Sequence, residues 1–266
     1  MLKKVYNSIK KQYRKVRVFT QPHPLYTTID RIKLSKIERD NPKKGFLKLY
    51  LKGLEHPIKI RKNFIDKEVV GYVFADKYHL PPQKVTLPDS PIILDLGSNI
   101  GLTVVHLKQL YPNSTIYGYE MNTNNYLLAK NNTKFYKNVH IHNQAIWKEN
   151  TTVSYNADSD FDAYSIKENN DSGKKVTIQS TTIQSIIETY NLTHIDYVKM
   201  DIEGAEEAIL EQDDLRWLQY VKAINIEMHL DESEDINTYI NILKGQGFNA
   251  WKDDKHWSSI MAFKKD

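Results

Sequence analysis

Four acids and one histidine stand at or just beyond the ends of apolar runs, where buried strands would deliver them to one edge of a sheet. They are Asp95, Glu120, Asp201, Glu227 and His229. Carboxylates and imidazoles in such places can hold the polar groups of a ligand, accept a proton or bind a cation. An acid at the end of an apolar strand is costly to bury without a partner, so each of these positions needs an explanation.

The first of these acids leads into a glycine-containing turn with the spacing Asp95-x-Gly97-x-x-x-Gly101. A dinucleotide site usually reads G-x-G-x-x-G, because the pyrophosphate needs a close backbone and a helix N-terminus. Here Asn99 would crowd a pyrophosphate, and Asp95 would repel it. S-adenosylmethionine instead carries an ammonium and a sulfonium, which a carboxylate favours, and its own carboxylate can accept from helix N-terminal amides. The turn therefore favours S-adenosylmethionine over NAD.

The next two predicted strands offer further cofactor contacts. Glu120 lies 23 residues after Gly97, where an acid commonly accepts hydrogen bonds from both ribose hydroxyls of an adenosine cofactor. Asn143 follows the third strand, and its amide could read the adenine edge while Ala145 leaves room for the ring. A plain turn with caps explains Asn143 and Ala145 equally well.

Two later strands bring polar side chains to the same edge. Alternation puts Asp201 and Glu203 on one side of strand 195–200, if the extension continues past residue 200, and Glu227 and His229 on one side of the following strand. In one hypothesis, His229 is a general base oriented by a carboxylate. In the other, Asp201 with Glu227 or His229 holds a divalent cation that polarises a hydroxyl. We expect Asp201 and His229 to be catalytic, and we expect no metal.

Structural roles compete with these functions. His229 has the features of a hydrogen-bonded core histidine, and Glu206 is typical of a first-turn acid favoured by the helix dipole. Four aromatic side chains could offer a face to a sugar ring, although large aromatics more often pack in a core or at its rim. They are Tyr164, Trp147, Trp251 and Trp257.

From about residue 90 onward, strands and helices alternate, which predicts a doubly wound, Rossmann-like α/β sheet with an antiparallel edge at the C-terminus. The polar segment 156–173 is typical of a lid or of a disordered stretch. Strands are predicted at 92–96, 115–120, 138–142, 152–155, 175–179, 195–200 and 222–228, helices near 100–110, 123–133, 182–190, 204–212 and 234–244, and a C-terminal hairpin at 247–251 and 258–264.

Two segments resemble the signature motifs of the FkbM-type methyltransferases, in the same order and with a similar separation. They are 93–101 (ILDLGSNIG) and 198–206 (VKMDIEGAE), and the resemblance covers roughly residues 64–264. The family is a class I methyltransferase group that uses S-adenosylmethionine, typically on hydroxyl oxygens of sugars in polysaccharides and glycans or of natural products.

The resemblance also implies positions for the cofactor. Asp95, Gly97, Asn99 and Gly101 would line its methionyl part, and Glu120 would hold its ribose. We also expect Ser98, in the same turn, to contact the cofactor. Met121 replaces a proline that the family often has, and it can still pack on the adenine.

The N-terminal part is not explained by this resemblance. Residues 1–20 predict an amphipathic helix with a basic face, segments 46–51 and 57–61 predict a hairpin, and Asp66 could cap a further helix. Prolines between residues 81 and 91 mark a boundary. We therefore predict a small N-terminal α/β extension over 1–85 and an S-adenosylmethionine-binding methyltransferase domain over 86–266.

Composition limits the location and the partners. The chain has no cysteine, which excludes disulfides and thiolate metal sites, and it lacks the apolar core of a signal peptide. We expect a cytoplasmic protein. A net charge of +4 lacks the basic excess typical of nucleic-acid binding, so we expect no nucleic acid as a partner. The basic helix predicts either peripheral contact with an anionic membrane or docking on the protein itself.

The function that these features favour is O-methylation of a sugar hydroxyl in glycan or polysaccharide biosynthesis, with S-adenosylhomocysteine as the cofactor product. A small natural product is the alternative acceptor. A nicotinamide-dependent oxidoreductase, or a module that binds a nucleotide without turnover, is the alternative from another class.

Overall fold

Most of the chain is described by the computed structural model. The predicted basic helix over 1–20 and almost all of the predicted polar segment 156–173 lie outside the described residues. Among the described residues, no helix is long and apolar enough to cross a bilayer. The described ranges are 23–40, 44–156, 175–231 and 234–264.

The chain divides into two compact units between Ala75 and Asp76. This division precedes the boundary at residue 85 that the prolines suggested. Side chains of the larger unit explain the difference, because the amide of Asn225 donates to the carbonyls on either side of His79, at 2.7 and 3.2 Å. The carbonyl of His79 itself accepts from the hydroxyl of Tyr197 at 2.6 Å.

The larger unit is built around a seven-stranded sheet with the order β11-β12-β10-β9-β3-β4-β5. These strands are β3 (Ile92–Leu96), β4 (Thr115–Tyr119), β5 (Val139–His142), β9 (Ile195–Met200), β10 (Val221–Glu227), β11 (Phe248–Lys252) and β12 (Ser259–Lys264). Five neighbouring strands are parallel, and β12 runs antiparallel to both β10 and β11. The chain leaves β3 toward β4 and β5 and later returns to β9 on the other side of β3. Ligands bind at such a reversal, beyond the carboxyl ends of the strands. This topology confirms the predicted doubly wound fold with its C-terminal antiparallel hairpin.

The bounds of the elements agree with the predicted ones to within a few residues. A separate small sheet contains β6 (Ala145–Ile146), β7 (Thr152–Asn156) and β8 (Lys175–Thr181), in the order β6-β8-β7. The helices of the larger unit are α3 (Leu102–Leu110), α4 (Thr123–Thr133), α5 (Ile183–Thr189), α6 (Glu206–Leu210) and α7 (Ile236–Gly245).

Both faces of the central sheet are buried. Successive residues of a strand point to opposite faces, and each face packs against its own hydrophobic cluster. In β3, Ile93 joins a hydrophobic cluster that includes Val104 and Leu107 of α3. Its neighbour Leu94 belongs to a second cluster that includes Ile186 of α5 and Leu243 of α7. The near-continuous apolar strands of the sequence follow from this double coverage.

The smaller unit contains α1 (Thr28–Asp40), the antiparallel strands β1 (Phe46–Leu49) and β2 (Ile58–Arg61), and α2 (Phe64–Gly71). The predicted hairpin is confirmed. The predicted cap was wrong, because the side chain of Asn63, not Asp66, caps α2 by accepting from the amide of Asp66. Asp66 is buried in the first turn and forms an ion pair with Arg61 at 2.8 Å.

Candidate active site

The turn after β3 is shaped by two glycines that leave no room for a side chain. Gly97 has a φ of +81°, and a Cβ there would lie 1.7 Å from the carbonyl oxygen of Asp201. Gly101 has a φ of +80°, and a Cβ there would lie 2.9 Å from Cα of Ala129. Because these φ values and these contacts both require glycine, the turn can press directly against the loop that follows β9 at Gly97 and against α4 at Gly101.

Backbone hydrogen bonds fix the rest of this turn. The amide of Ser98 donates to the carbonyl of Tyr119 at 2.8 Å, and its hydroxyl donates to the carbonyl of Asp95 at 2.9 Å. Asn99 is left-handed, with a φ of +46°, and its amide donates to Oε2 of Glu120 at 2.8 Å. The structure therefore brings Asp95, the turn and Glu120 together, as the sequence predicts.

The carboxylate of Glu120 is buried and accepts two backbone amides. Oε1 accepts from Asn122 at 2.7 Å, and Oε2 accepts from Asn99 at 2.8 Å. Burial raises the pKa of Glu120 to about 7, although these two amides act in the opposite direction. Each carboxylate oxygen has a second lone pair, so Glu120 can still accept the hydroxyls of a ribose.

Asp95 is fully buried, and its two oxygens have different surroundings. Oδ2 accepts from the hydroxyl of Thr103 at 2.7 Å, while Oδ1 lies 3.9 Å from the ammonium of Lys199. Burial raises the pKa of Asp95, and Lys199 opposes this effect. Among the described residues, no donor forms a hydrogen bond to Oδ1 of Asp95 or to Oδ1 of Asn99. Buried acceptors without a donor suit a ligand with N–H groups, so the turn fits the ammonium of S-adenosylmethionine.

The residues predicted at the adenine have partly structural contacts. The amide nitrogen of Asn143 donates to the carbonyls of Glu120 at 2.9 Å and Met121 at 3.0 Å, and Oδ1 accepts from the hydroxyl of Thr123. Asn143 thus holds the loop after β4, and only a lone pair of Oδ1 is left for an adenine. Ala145 is buried in β6. The adenine contacts of Met121, Asn143 and Ala145 stay predictions.

Lys199 joins the cofactor turn to the second half of the site. Its ammonium donates to the carbonyl of Gly97 at 2.8 Å and lies 3.1 Å from Oδ2 of Asp201. Burial alone would lower the pKa of Lys199, but Asp201 and Asp95 raise it well above its ordinary value. Lys199 therefore stays charged and compensates part of the negative charge of its neighbours.

Beyond Lys199 lies a group of four partly exposed side chains, Asp201, Glu203, Glu227 and His229, which we call the acid–histidine cluster. Nε2 of His229 lies 3.3 Å from Oε2 of Glu203 and 3.9 Å from Oδ1 of Asp201. The same nitrogen lies 4.0 Å from Oε1 of Glu227. The convergence of these side chains was predicted.

The route by which they converge differs from the prediction. Strand β9 ends at Met200, and the chain then turns through Glu203 and Gly204, which have φ values of +57° and +94°. The assumption that the extension continues past residue 200 is therefore wrong. Asp201 is positioned by its amide, which donates to the carbonyl of Leu96 at 3.0 Å.

Glu206 orients the histidine of the cluster. It lies in the first turn of α6, as predicted, and its carboxylate is fully buried, so its role goes beyond that of an ordinary first-turn acid. Oε1 accepts from the amide of Ile202 at 2.8 Å and from Nδ1 of His229 at 3.2 Å, and Oε2 accepts from the amide of Gly204 at 2.9 Å. One carboxylate thus shapes the loop and leaves Nε2 of His229 facing the other acids.

Crowding of carboxylates makes the cluster hold protons strongly. Burial and the charge of Asp201 raise the pKa of Glu203 to about 8 and that of Glu227 to about 7. Burial would lower the pKa of His229, but the hydrogen bond and charge of Glu206 raise it to about 10. At neutral pH the imidazole is therefore protonated.

The same cluster has the donor set of a cation site. Three side chains each offer one ligand atom, and these three atoms lie within 4.8 Å of one another. The side chains are Asp201, Glu227 and His229. Two carboxylate oxygens and one imidazole nitrogen suit divalent cations such as Mn²⁺. Glu206 on the other ring nitrogen resembles the carboxylate that orients a metal-binding histidine. The hypotheses of a base and of a cation site both stay predictions.

Sequence reasoning missed His256, which lies in the turn between β11 and β12. Its Nε2 is 3.6 Å from Oε1 of Glu227, and its Nδ1 is 3.0 Å from the hydroxyl of Ser259. Burial lowers the pKa of His256, in contrast to that of His229. The predicted C-terminal hairpin could have indicated the position of His256, since the turn of this hairpin lies at the edge of the sheet where β10 ends.

A model of a known protein family matches most of the larger unit. The family model described as the methyltransferase FkbM domain matches residues 95–250 of this chain. The match begins at Asp95 and includes every residue of the cofactor turn and of the acid–histidine cluster. It covers more than half of the chain.

Two fungal proteins are similar to this chain. A protein named Methyltransferase 1, from Beauveria bassiana (strain ARSEF 2860), is 25% identical over 224 residues, covering 75% of this chain and 86% of that protein. Methyltransferase sdnD from Sordaria araneosa is 23% identical over 234 residues, covering 75% of this chain and 87% of that protein.

Among solved structures, the crystal structure of methyltransferase FkbM from Methylobacillus flagellatus KT is similar, with 18% identity and a TM-score of 0.48. The similar region covers 70% of this chain and 47% of that chain, so this protein spans about half of its length.

Proposed function

The chain belongs to the FkbM methyltransferase family, and from this premise we propose that it transfers a methyl group from S-adenosylmethionine to a hydroxyl oxygen of a saccharide. Family membership makes it a class I methyltransferase that depends on S-adenosylmethionine. This assignment excludes the two alternatives from another class, a nicotinamide-dependent oxidoreductase and a non-catalytic nucleotide-binding module.

One observation carries the proposed reaction, which is that the acid–histidine cluster adjoins the cofactor turn. The carbonyl of Asp201 occupies the space that a side chain at position 97 would need. Lys199 contacts both the turn and Asp201. A hydroxyl bound at the cluster would thus lie next to the bound cofactor, and positioning of this kind accounts for a large part of catalysis.

The residues of the first half would hold the cofactor. We assign the methionyl part to Asp95 and the turn 97–101, and the ribose to Glu120, because these groups supply the acceptors and the close backbone that the cofactor requires. When bound, S-adenosylmethionine supplies an electrophilic methyl group on a positively charged sulfur.

The second half would activate the acceptor. A sugar hydroxyl is a weak nucleophile, so its proton must pass to a base as the new bond forms. His229 is protonated at neutral pH, since its pKa is about 10. We therefore assign the proton acceptor to the carboxylate of Asp201, and we assign to His229 the role of orienting the hydroxyl through Nε2–H.

A divalent cation on Asp201, Glu227 and His229 is the alternative, since it would replace the protons that the crowded cluster otherwise holds. When bound, it would polarise the hydroxyl as a Lewis acid. Chelation with EDTA followed by addition of Mg²⁺ or Mn²⁺ separates the two mechanisms. The carboxylate base predicts unchanged turnover after chelation, whereas the cation predicts loss of turnover and recovery on addition.

The acceptor is tested with a labelled methyl donor. Purified protein is incubated with methyl-labelled S-adenosylmethionine and a panel of free sugars, lipid-linked sugars and phenolic natural products. We expect the label in a saccharide. Label confined to the natural products would favour the alternative acceptor, and calorimetric binding of NAD without binding of S-adenosylhomocysteine would contradict the methyltransferase assignment itself.

We also propose a cytoplasmic enzyme that touches an anionic membrane through its N-terminal part. Residues 1–75 hold 19 Lys and Arg against 6 Asp and Glu, a net charge of +13, whereas residues 76–266 hold 18 against 27, a net charge of −9. The basic helix predicted over 1–20 lies outside the described residues, so the described hairpin supplies the structural support.

The outer face of this hairpin is basic and carries an exposed aromatic. Phe46, Lys48 and Lys59 share this face, opposite the buried Leu49 and its neighbours. The ammonium of Lys59 lies 4.1 Å from the ring centroid of Phe46. Lysines around an exposed aromatic suit an anionic lipid surface.

Sedimentation with phosphatidylcholine vesicles, with and without phosphatidylserine, tests this contact. We expect binding only to the vesicles that contain phosphatidylserine, and weaker binding by the Lys48→Glu, Lys59→Glu double variant. Equal sedimentation with both kinds of vesicle would contradict the proposal.

A further inference from the structure

Three aromatic rings form a row beside the acid–histidine cluster. The ring of Tyr78 stacks on His256 with a centroid distance of 5.7 Å and an interplanar angle of 29°. His256 in turn stacks on Trp257 at 6.4 Å and 26°. The row extends from Glu227, which His256 approaches to 3.6 Å, out to the solvent at Trp257.

The antiparallel end of the sheet places this row. Strand β12 pairs with β10 so that Ser259 lies opposite Glu227, and the amide of Met228 extends the pairing by donating to the carbonyl of Ser258 at 3.0 Å. The turn that precedes β12 therefore lies at the same edge as the carboxyl ends of β9 and β10. A final strand in the parallel direction would have placed this turn at the opposite edge.

Tyr78 is fixed from the other side through its backbone. The amide of Asn225 donates to the carbonyl of Tyr78 at 2.7 Å, and Tyr197 donates to the carbonyl of the next residue. Burial and the charge of Asp201 raise the pKa of the Tyr78 phenol well above its ordinary value, in keeping with a ring that lies close to the cluster.

Trp257 differs from the other tryptophans of the chain. Trp217 is buried, Trp147 packs against the core, and Trp251 packs edge-on against Phe263 at 5.9 Å. Trp257 is 79% exposed, the largest exposure of any large hydrophobic side chain among the described residues. A large apolar surface beside a reactive site is typical of a binding surface.

We propose that Trp257, His256 and Tyr78 form the acceptor subsite, with Trp257 stacking on the face of a pyranose ring. This inference rests on the proposed function and specifies its acceptor. The C–H bonds on one face of a pyranose are apolar and slightly positive, and they complement the negative face of an indole. His256 stacks on one face of Trp257 and approaches Glu227 to 3.6 Å, so a pyranose on the other face of Trp257 is connected to the cluster through this row.

Binding is measured without turnover, by saturation-transfer NMR on the full chain loaded with S-adenosylhomocysteine and a panel of methyl pyranosides. We expect transfer to the ring C–H protons of at least one pyranoside, and a dissociation constant raised about tenfold by Trp257→Ala. Trp257→Phe should keep most of the affinity, while Trp257→Leu should lose it, because leucine is apolar like phenylalanine but has no aromatic face.

Phe135→Ala is the matched control, since this ring is 51% exposed and lies between α4 and the start of β5, at the edge of the sheet where the parallel strands begin. It should leave pyranoside binding unchanged. All variants should bind S-adenosylhomocysteine within about twofold of the parent.

Two failures can be told apart. If the parent protein binds pyranosides and Trp257→Ala binds them equally well, the subsite is overturned while the proposed function stands. If the parent protein binds no pyranoside, the subsite is overturned as well, and the labelled-methyl assay then decides whether another acceptor replaces the saccharide.

Discussion

The two halves of the site are built in different ways. The cofactor half consists mainly of backbone, in which glycines allow close approach and amides position Glu120. The acceptor half consists of side chains, in which several carboxylates surround His229 and alter one another's pKa values. The binding half thus depends on shape and the reactive half on charge, and Gly97 and Lys199 lie at the junction of the two.

Gly97→Ala changes a residue at the junction of the two halves, and it should have the largest effect on stability and on cofactor binding. A Cβ at this position would lie 1.7 Å from the carbonyl oxygen of Asp201. We expect the free energy of unfolding to fall by about 2–4 kcal/mol and binding of S-adenosylhomocysteine to be lost. Chemical denaturation and calorimetry measure the two effects.

Gly245→Ala is the control for this change. Gly245 lies at the end of α7, and no atom of the described residues lies within 4 Å of the added Cβ, so the free energy of unfolding should stay equal or rise slightly. Normal binding by Gly97→Ala would show that the two halves are not held together by this contact.

Asp201→Asn should impair the reactive half while the cofactor half still binds its ligand. The amide preserves the size of the side chain, so S-adenosylhomocysteine should bind within about twofold, while kcat should fall by about 10²–10³ because the proton acceptor is lost. Asp213→Asn, at an exposed acid, should keep full activity. Full turnover by Asp201→Asn would remove Asp201 from the catalytic role.

Glu206→Gln tests how the reactive half is held. It should lower the free energy of unfolding by about 2 kcal/mol, because a buried acceptor of three donors is altered. The pKa of His229 should fall from about 10 toward 6.5, which NMR titration of the imidazole measures. Glu149→Gln, at an exposed acid, should change neither quantity. A His229 pKa that stays near 10 would contradict the orienting role of Glu206.

The smallest effect is expected in the cofactor half, as a pH dependence of binding. The pKa of Glu120 is raised from 4.5 to about 7, so the stability contributed by its proton is complete below pH 4.5 and is lost as the pH rises through 7. Ribose hydroxyls donate to the ionised form, so S-adenosylhomocysteine should bind up to about tenfold more tightly at pH 8 than at pH 6. Calorimetry should show proton release on binding near pH 6.5. An affinity for S-adenosylhomocysteine that does not depend on pH would contradict this prediction.

Much of the cofactor half could be predicted because its determinants are close in sequence. Asp95, Gly97 and Gly101 belong to one turn, and a short apolar strand before it indicates where they lie. Even here the contacts of Asn143 were not readable, because its choice of the carbonyls of Glu120 and Met121 depends on how two loops meet.

The sequence by itself determined the alternation of strands and helices, the cofactor turn and the residue types at the sheet edge, since these depend on local periodicity and on backbone angles that only glycine adopts easily. Tertiary structure decided which acid orients His229, that His256 joins the site, and which tryptophan is exposed. Those outcomes depend on contacts between residues tens of positions apart. The contact of Glu206 with His229 depends on the pairing of β9 with β10, and the contact of His256 with Glu227 depends on the antiparallel last strand, which brings its turn to the edge where β10 ends. No local pattern encodes the resulting distances or pKa values.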